Sequence, residues 1–149
     1  MRVCVFTAAS RRFGLPVESV LELFAAERLT PVPTAPALVA GVVHRRGTVV
    51  PVLHLPPPLG AVEAIGAGQG LLRVSHDGVD AVTPVEAVLG VEEVTVENAV
   101  DLPGWVQGRF QSGGVPAYLL DPRRLIEAWT REVADAVGPV GAMPVEQGT

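Results

Sequence analysis

Few side chains in this sequence have the type and spacing that covalent or metal chemistry requires. Cys4 is the only cysteine, so no intramolecular disulfide can form and a thiolate metal cluster has no ligand set. It sits in the apolar run Val3-Cys-Val-Phe6, where a cysteine reads as a small buried hydrophobe. A Cys–His nucleophile pair would need His44, His54 or His76 beside it, and nothing in the spacing brings one there. His44 and His54 lie ten apart on stretches that could pair as strands, but no third metal ligand accompanies them, so chance explains the spacing better. His76 falls in a His-Asp-Gly turn. Glu92, Glu93 and Glu97 read as a solvated acidic edge, because neighbouring strand residues point to opposite faces and cannot converge for acid–base work. Gly66-Ala-Gly68-Gln-Gly70 resembles a fragment of a phosphate loop, yet it precedes a strand and no Lys follows. Trp105 and Trp129 read as core and helix-docking residues. A nucleic-acid-binding barrel would show several exposed aromatics beside basic residues, and only seven aromatics are present. No catalytic, metal or cofactor site is expected.

The elements that hold these residues follow from composition and pattern. The 149 residues suit one domain, or two very small subdomains sharing a core. With 48% hydrophobic residues a sizeable core is available, and 16 Gly plus 14 Pro favour short strands over long helices. The net charge of −5 argues against a nucleic-acid partner. The opening apolar run is too short for a signal peptide and no run is long enough to span a membrane, so no membrane insertion and a cytoplasmic location are expected.

The chain also echoes itself. Pro16-Val-Glu-Ser-Val-Leu-Glu-Leu23 matches Pro84-Val-Glu-Ala-Val-Leu-Gly-Val91 at an offset of 68, and Pro36-Ala-Leu-Val-Ala-Gly41 matches Pro103-Gly-Trp-Val-Gln-Gly108 at 67. Two diverged halves, about 1–60 and 69–129, are the economical reading, each small for a core of its own. Val3–Thr7 and Arg12–Leu15 predict a hairpin around Ala8–Arg11, and Pro16–Leu23 predicts a strand or one helical turn. The three prolines of Thr30–Pro36 predict an extended loop. Strands are expected on either side of Arg46-Gly47, with Pro51 at an edge or a bulge because it cannot donate to a ladder. The second half repeats the plan. Asp121 caps a short helix that starts at Pro122 and runs to Trp129, and 130–149 is expected to be a disordered tail.

These segments together resemble the CheW family of chemotaxis coupling proteins, over about Val3 to Trp129. The most specific stretch runs from Thr30 through the Pro-containing loop to Gly41, then Val42-Val-His-Arg-Arg-Gly-Thr-Val-Val-Pro-Val-Leu-His-Leu55. The resemblance implies an all-β fold of two packed five-stranded SH3-like barrels with a short C-terminal helix, no catalysis and no cofactor. It also implies two partners, the signalling tip of a chemoreceptor and the regulatory domain of a CheA-type histidine kinase. Receptor contacts would lie in a groove near Val20, Leu23, Val85 and Val88, the helix-in-groove mode, although plain core is the alternative for these residues. Glu22 and Arg46 match polar positions used at the family's interfaces, and an exposed Arg suits such a role. The sequence departs from the family at His44 and Arg45, where Asn-Leu is usual, and at His54, where Asp is usual. Val82 replaces a usual Gly, and Pro56-Pro57-Pro58 replaces an Arg-rich stretch. These changes bear on the kinase contact and suggest a divergent protein that binds receptors but couples weakly or not at all to the kinase. A third reading, an unrelated small-ligand-binding or enzymatic β-barrel, rests only on Cys4 and the histidines.

Overall fold

A computed structural model describes residues 1–137. Ten strands, a single 3-10 turn and one helix follow in order: β1 (Arg2–Ala8), β2 (Arg11–Pro16), the turn Val17–Ser19, β3 (Val20–Ala25), β4 (Val39–Arg45), β5 (Thr48–Leu53), β6 (Gly70–His76), β7 (Val79–Val85), β8 (Ala87–Glu93), β9 (Val106–Ser112), β10 (Val115–Leu120) and α1 (Pro122–Val137). Pro16–Leu23 thus contains both expected elements, a helical turn and then a strand.

Four hairpins are joined by pairs of left-handed residues: Ala9-Ser10, Arg46-Gly47, Asp77-Gly78 and Gly113-Gly114. Two consecutive positive φ angles give the turn a twist that matches that of the flanking strands. Three of the pairs contain glycine. Ala9 and Ser10 adopt φ +50° and +60° without it.

The strands assemble into two five-stranded sheets, ordered β8-β1-β2-β10-β9 and β3-β6-β7-β5-β4. Replacing each strand by its counterpart 67 or 68 residues away turns one order into the other. The duplication is therefore real in the fold, but its halves are not the two sheets. The first sheet takes β1 and β2 from one half and β8, β9 and β10 from the other, and the second sheet makes the reverse exchange. Even irregularities repeat: β3 slips register against β6 at Leu21, and β8 slips against β1 at Leu89.

Single bridges, Thr30 with Val42 and Glu97 with Arg109, join the chain beyond each edge strand to the opposite edge, so each sheet closes into a small barrel. The glycines that end the repeated Pro-to-Gly segments make this possible. A Cβ on Gly41 would lie 2.6 Å from the Thr30 carbonyl oxygen, and one on Gly108 would lie 2.5 Å from that of Glu97.

Each barrel has its own interior. Val3, Val5, Phe110, Ala117 and Leu119 fill the first, and Val43, Val50, Val52, Leu71 and Val82 fill the second. Volumes trade between equivalent positions. Phe110 packs over Gly14, where a Cβ would meet the ring at 2.7 Å, while the second barrel has Val43 and Val82 in those places. A larger core, with Phe6, Phe13 and Leu15 of one barrel, Leu72, Val74 and Val85 of the other, and Leu125 and Trp129 of α1, cements the two together.

Two expectations are corrected here. Pro51 is not at an edge, since β5 lies between β4 and β7. It is tolerated because β5 and β7 share only the pair Val52–Val82, so little ladder is lost. The helix does not stop at Trp129. Fully buried Val133 lies one turn further on the same face, and α1 continues to Val137. The remainder of the expected tail, 138–149, lies outside the described residues.

Candidate functional site: an apolar groove and an arginine-rich turn

Alternation along β3 places Val20, Glu22 and Phe24 inward and leaves Leu21 and Leu23 exposed at 55% and 51%. On β8 the counterparts Leu89 and Val91 are exposed in the same way. Where β3 and β6 approach the start of β8, Leu23, Val85 and Val88 line one surface cavity of about 300 Å³ with Ala25, Gly70 and Ala87. Three of the four expected groove residues are thus gathered. Val85 is 2% exposed and serves the core while forming the cavity floor, and Val88 is half-buried. Val20 is not part of this lining and packs against the large core.

Glu22 is a hub. Its carboxylate accepts hydrogen bonds from Arg45 Nε at 3.2 Å to each oxygen, and Arg45 Nη2 lies 3.1 Å away. Arg73, its register partner on β6, approaches to 3.5 Å and is itself held by Asp80 at 2.6 Å. Arg46 reaches it only at 3.8 Å. The hydrogen bonds from Arg45 hold the Glu22 carboxyl below the usual carboxylate range, against the opposing pull of partial burial. Arg45 also stacks over Phe24, 4.3 Å from the ring centroid. The first barrel uses the equivalent positions for a different polar cluster: Arg12 Nη1 donates to the Ser112 carbonyl at 2.7 Å, and Ser112 Oγ donates to Glu92 at 2.9 Å. Glu92 is therefore not simply solvated, as its sequence context suggested.

His44 is exposed beside Arg45, on the wall of a 240 Å³ cavity with Phe24, Arg28 and Thr30. His54 departs from the reading that grouped it with His44 and Arg45. It is 5% exposed, its carbonyl accepts a 2.9 Å hydrogen bond from Trp129 Nε1, and burial pushes its pKa down against the influence of Glu63. It lines a small cavity with Ala9, Gly60, Glu63 and Glu86, away from the turn that carries His44 and Arg45. Cys4 is buried, and burial raises its thiol pKa, which disfavours the thiolate a nucleophile needs. Among the described residues, no three His, Cys, Asp or Glu side chains gather closely enough to hold a metal ion. No helix among them is long and apolar enough to cross a membrane.

Sequence reasoning missed the exposure of Leu21, Leu89 and Val91 and the part played by Arg73 and Asp80. The apolar residues of β3 occur on both faces, so alternation is masked until the barrel shows which side is inside.

The profile of the CheW-like domain matches residues 2–129. The chain belongs to the CheW-like domain family. Among relatives of this CheW-like chain, the protein FrzA of Myxococcus xanthus is 35% identical over 99 residues, 66% of this chain. The match covers 62% of FrzA, so the chain spans less than two thirds of that relative. The scaffolding protein TtCheW from Thermoanaerobacter tengcongensis superposes with a TM-score of 0.73 at 20% identity, covering 84% of this chain and 86% of that one, which shows a shared fold. The all-β class, with two five-stranded sheets and one C-terminal helix, is the CheW fold.

Proposed function

We propose that this CheW-like chain is a cytoplasmic, non-catalytic adaptor that couples a chemoreceptor signalling tip to a CheA-type histidine kinase. The observation that carries the receptor half is the cavity where Leu23, Val85 and Val88 meet between the two barrels, with Leu21 exposed nearby on the same strand. An amphipathic helical tip buries its apolar stripe in such a groove, and the adaptor contributes position rather than chemistry. The buried Cys4 and the scattered histidines support the non-catalytic reading. TtCheW is a scaffolding protein, a role consistent with this one.

The test is a pull-down with a receptor signalling domain and a kinase regulatory domain. Wild type should capture both, and Leu23→Glu, which charges an exposed groove residue, should lose the receptor at least about tenfold while melting as wild type does. Capture of neither partner by wild type would sink the proposal. A second reading, receptor binding with weak or no kinase coupling, is favoured by the packing of Arg45 onto Glu22 and Phe24 at a turn that departs from the family pattern. Ordinary kinase capture in the same assay would exclude it.

A further inference from the structure

The duplication builds one surface feature twice, and only one of the two copies is covered. Ala8, Ala9, Leu55, Pro84 and Glu86 line a cavity of about 30 Å³ where the β1–β2 turn meets the β7–β8 junction. Their counterparts 67 or 68 residues away, His76, Asp77, Pro122, Pro16 and Glu18, line a depression of about 460 Å³ where the β6–β7 turn meets the 3-10 turn and the start of α1. The difference is a lid. Gly60, Ala61, Glu63 and Gln69, all from the stretch between β5 and β6, complete the first cavity. Buried Leu59 draws this stretch down, and its carbonyl accepts a 2.9 Å hydrogen bond from Arg11 Nη1. Gln69 Nε2 donates to the Val85 carbonyl at 3.3 Å and ties the far end. After β10 the chain enters α1 instead, which sends Leu125 and Trp129 into the shared core. No equivalent stretch crosses the second depression among the described residues.

The uncovered copy combines an apolar floor with an acidic rim. Leu21, 55% exposed, shares its lining with Pro16 and Pro122. Glu18 is exposed and pairs with no cation among the described residues. Its twin Glu86, by contrast, accepts the Ser10 amide hydrogen at 3.2 Å. The Asp77 side chain is 87% exposed, with only His76 near it at 3.3 Å. The two arginines that follow Pro122 are engaged elsewhere, Arg123 by Glu127 and Arg124 by Asp121.

We infer that the uncovered depression docks an extended segment of a partner protein in which a leucine is followed by a lysine or arginine. The covered twin supplies the form of the occupant, a strap that buries one leucine across a site of the same plan. The rim supplies its charge, since Glu18 and Asp77 attract a cation that the strap itself lacks. The depression shares no lining residue with the Leu23–Val85–Val88 cavity, so the inference goes beyond the adaptor reading and does not depend on it.

An NMR titration of the full chain with a synthetic peptide of the lid sequence Leu55–Glu63, carrying Glu63→Lys, tests this. Amide signals should move at Ser19, Leu21, Ser75 and Asp77 and stay in place at Ala9 and Ser10, whose copy is already covered. Leu21→Ser in the chain should weaken peptide binding about tenfold, and Glu18→Gln about threefold. Leu89→Ser, at the twin of Leu21, should leave binding unchanged, and all three variants should melt as wild type does. No shift at millimolar peptide, shifts centred on Leu23 and Val88, or equal binding of the peptide that keeps Glu63 overturns the inference. A dimer on gel filtration that Leu21→Ser dissolves would give the surface to a second copy of the chain and overturn it as well.

Discussion

The His54 imidazole is buried, which pushes its pKa down, and the Glu22 carboxyl is held down by the hydrogen bonds it accepts from Arg45. Both groups bind a proton less readily in the folded chain than in the unfolded one, so both contribute stability that is complete at higher pH and lost on acidification. For His54 the loss begins as the pH falls below about 6.5 and continues through its lower folded value; for Glu22 it begins below about 4.3. Urea unfolding across this range should therefore weaken in two stages, and His54→Gln should remove the first stage while keeping the second. A flat profile from neutral pH down to about 5 would contradict the buried neutral imidazole. Thr83 offers a simpler case. Its hydroxyl is buried with no hydrogen-bond partner among the described residues, a cost that a Val of the same shape avoids. Thr83→Val should raise stability by about 1 kcal/mol, measured as a shift of the urea midpoint. A lowered midpoint would show that the hydroxyl has a partner after all.

The helix α1 locks the two barrels, and Trp129 is its anchor, fully buried in the shared core with its indole N–H bonded to the His54 carbonyl. Trp129→Phe should keep most of the packing yet lose that bond, costing about 1 kcal/mol in addition to the lost ring volume. If thermal unfolding of the variant matches wild type, the anchor is packing alone. Elements with strong local signals were legible from sequence. Asp77-Gly78 and Arg46-Gly47 announce their hairpins through glycine, and Pro122 announces the start of α1. Ala9-Ser10 contains no glycine or asparagine to mark its left-handed turn, so only the alternating runs on either side suggested a hairpin. The far end of α1 was illegible because, among the side chains described beyond Trp129, only Val133 continues the buried face, and one residue is too little pattern to read. Leu23, Val85 and Val88 were identified as a group and line one cavity, whereas Val20 packs against the large core and His54 is buried away from His44, placements that only the packed barrels reveal.

For the molecule as a whole, the sequence echo showed that there are two similar halves but not that they exchange strands. An offset of 68 fits side-by-side halves and interlocked ones equally well. Pairing of β1 with β8 and of β2 with β10 decides for interlocking. The segment 61–64 between the halves is exposed, so limited proteolysis there should yield two fragments that remain together on gel filtration and part only in denaturant. Separation under native conditions would refute the exchange. The same exchange imposes an order on synthesis. The second barrel is continuous in the chain, from β3 to β7, and has all its strands once Val85 has left the ribosome. The first barrel cannot close until β10 has emerged, so the earliest hairpin to be made is the last to be covered. Until then Val3 and Val5, which Phe110, Ala117 and Leu119 cover in the closed barrel, stay open to water, and the N-terminal hairpin is the part of the nascent chain on which a chaperone would act.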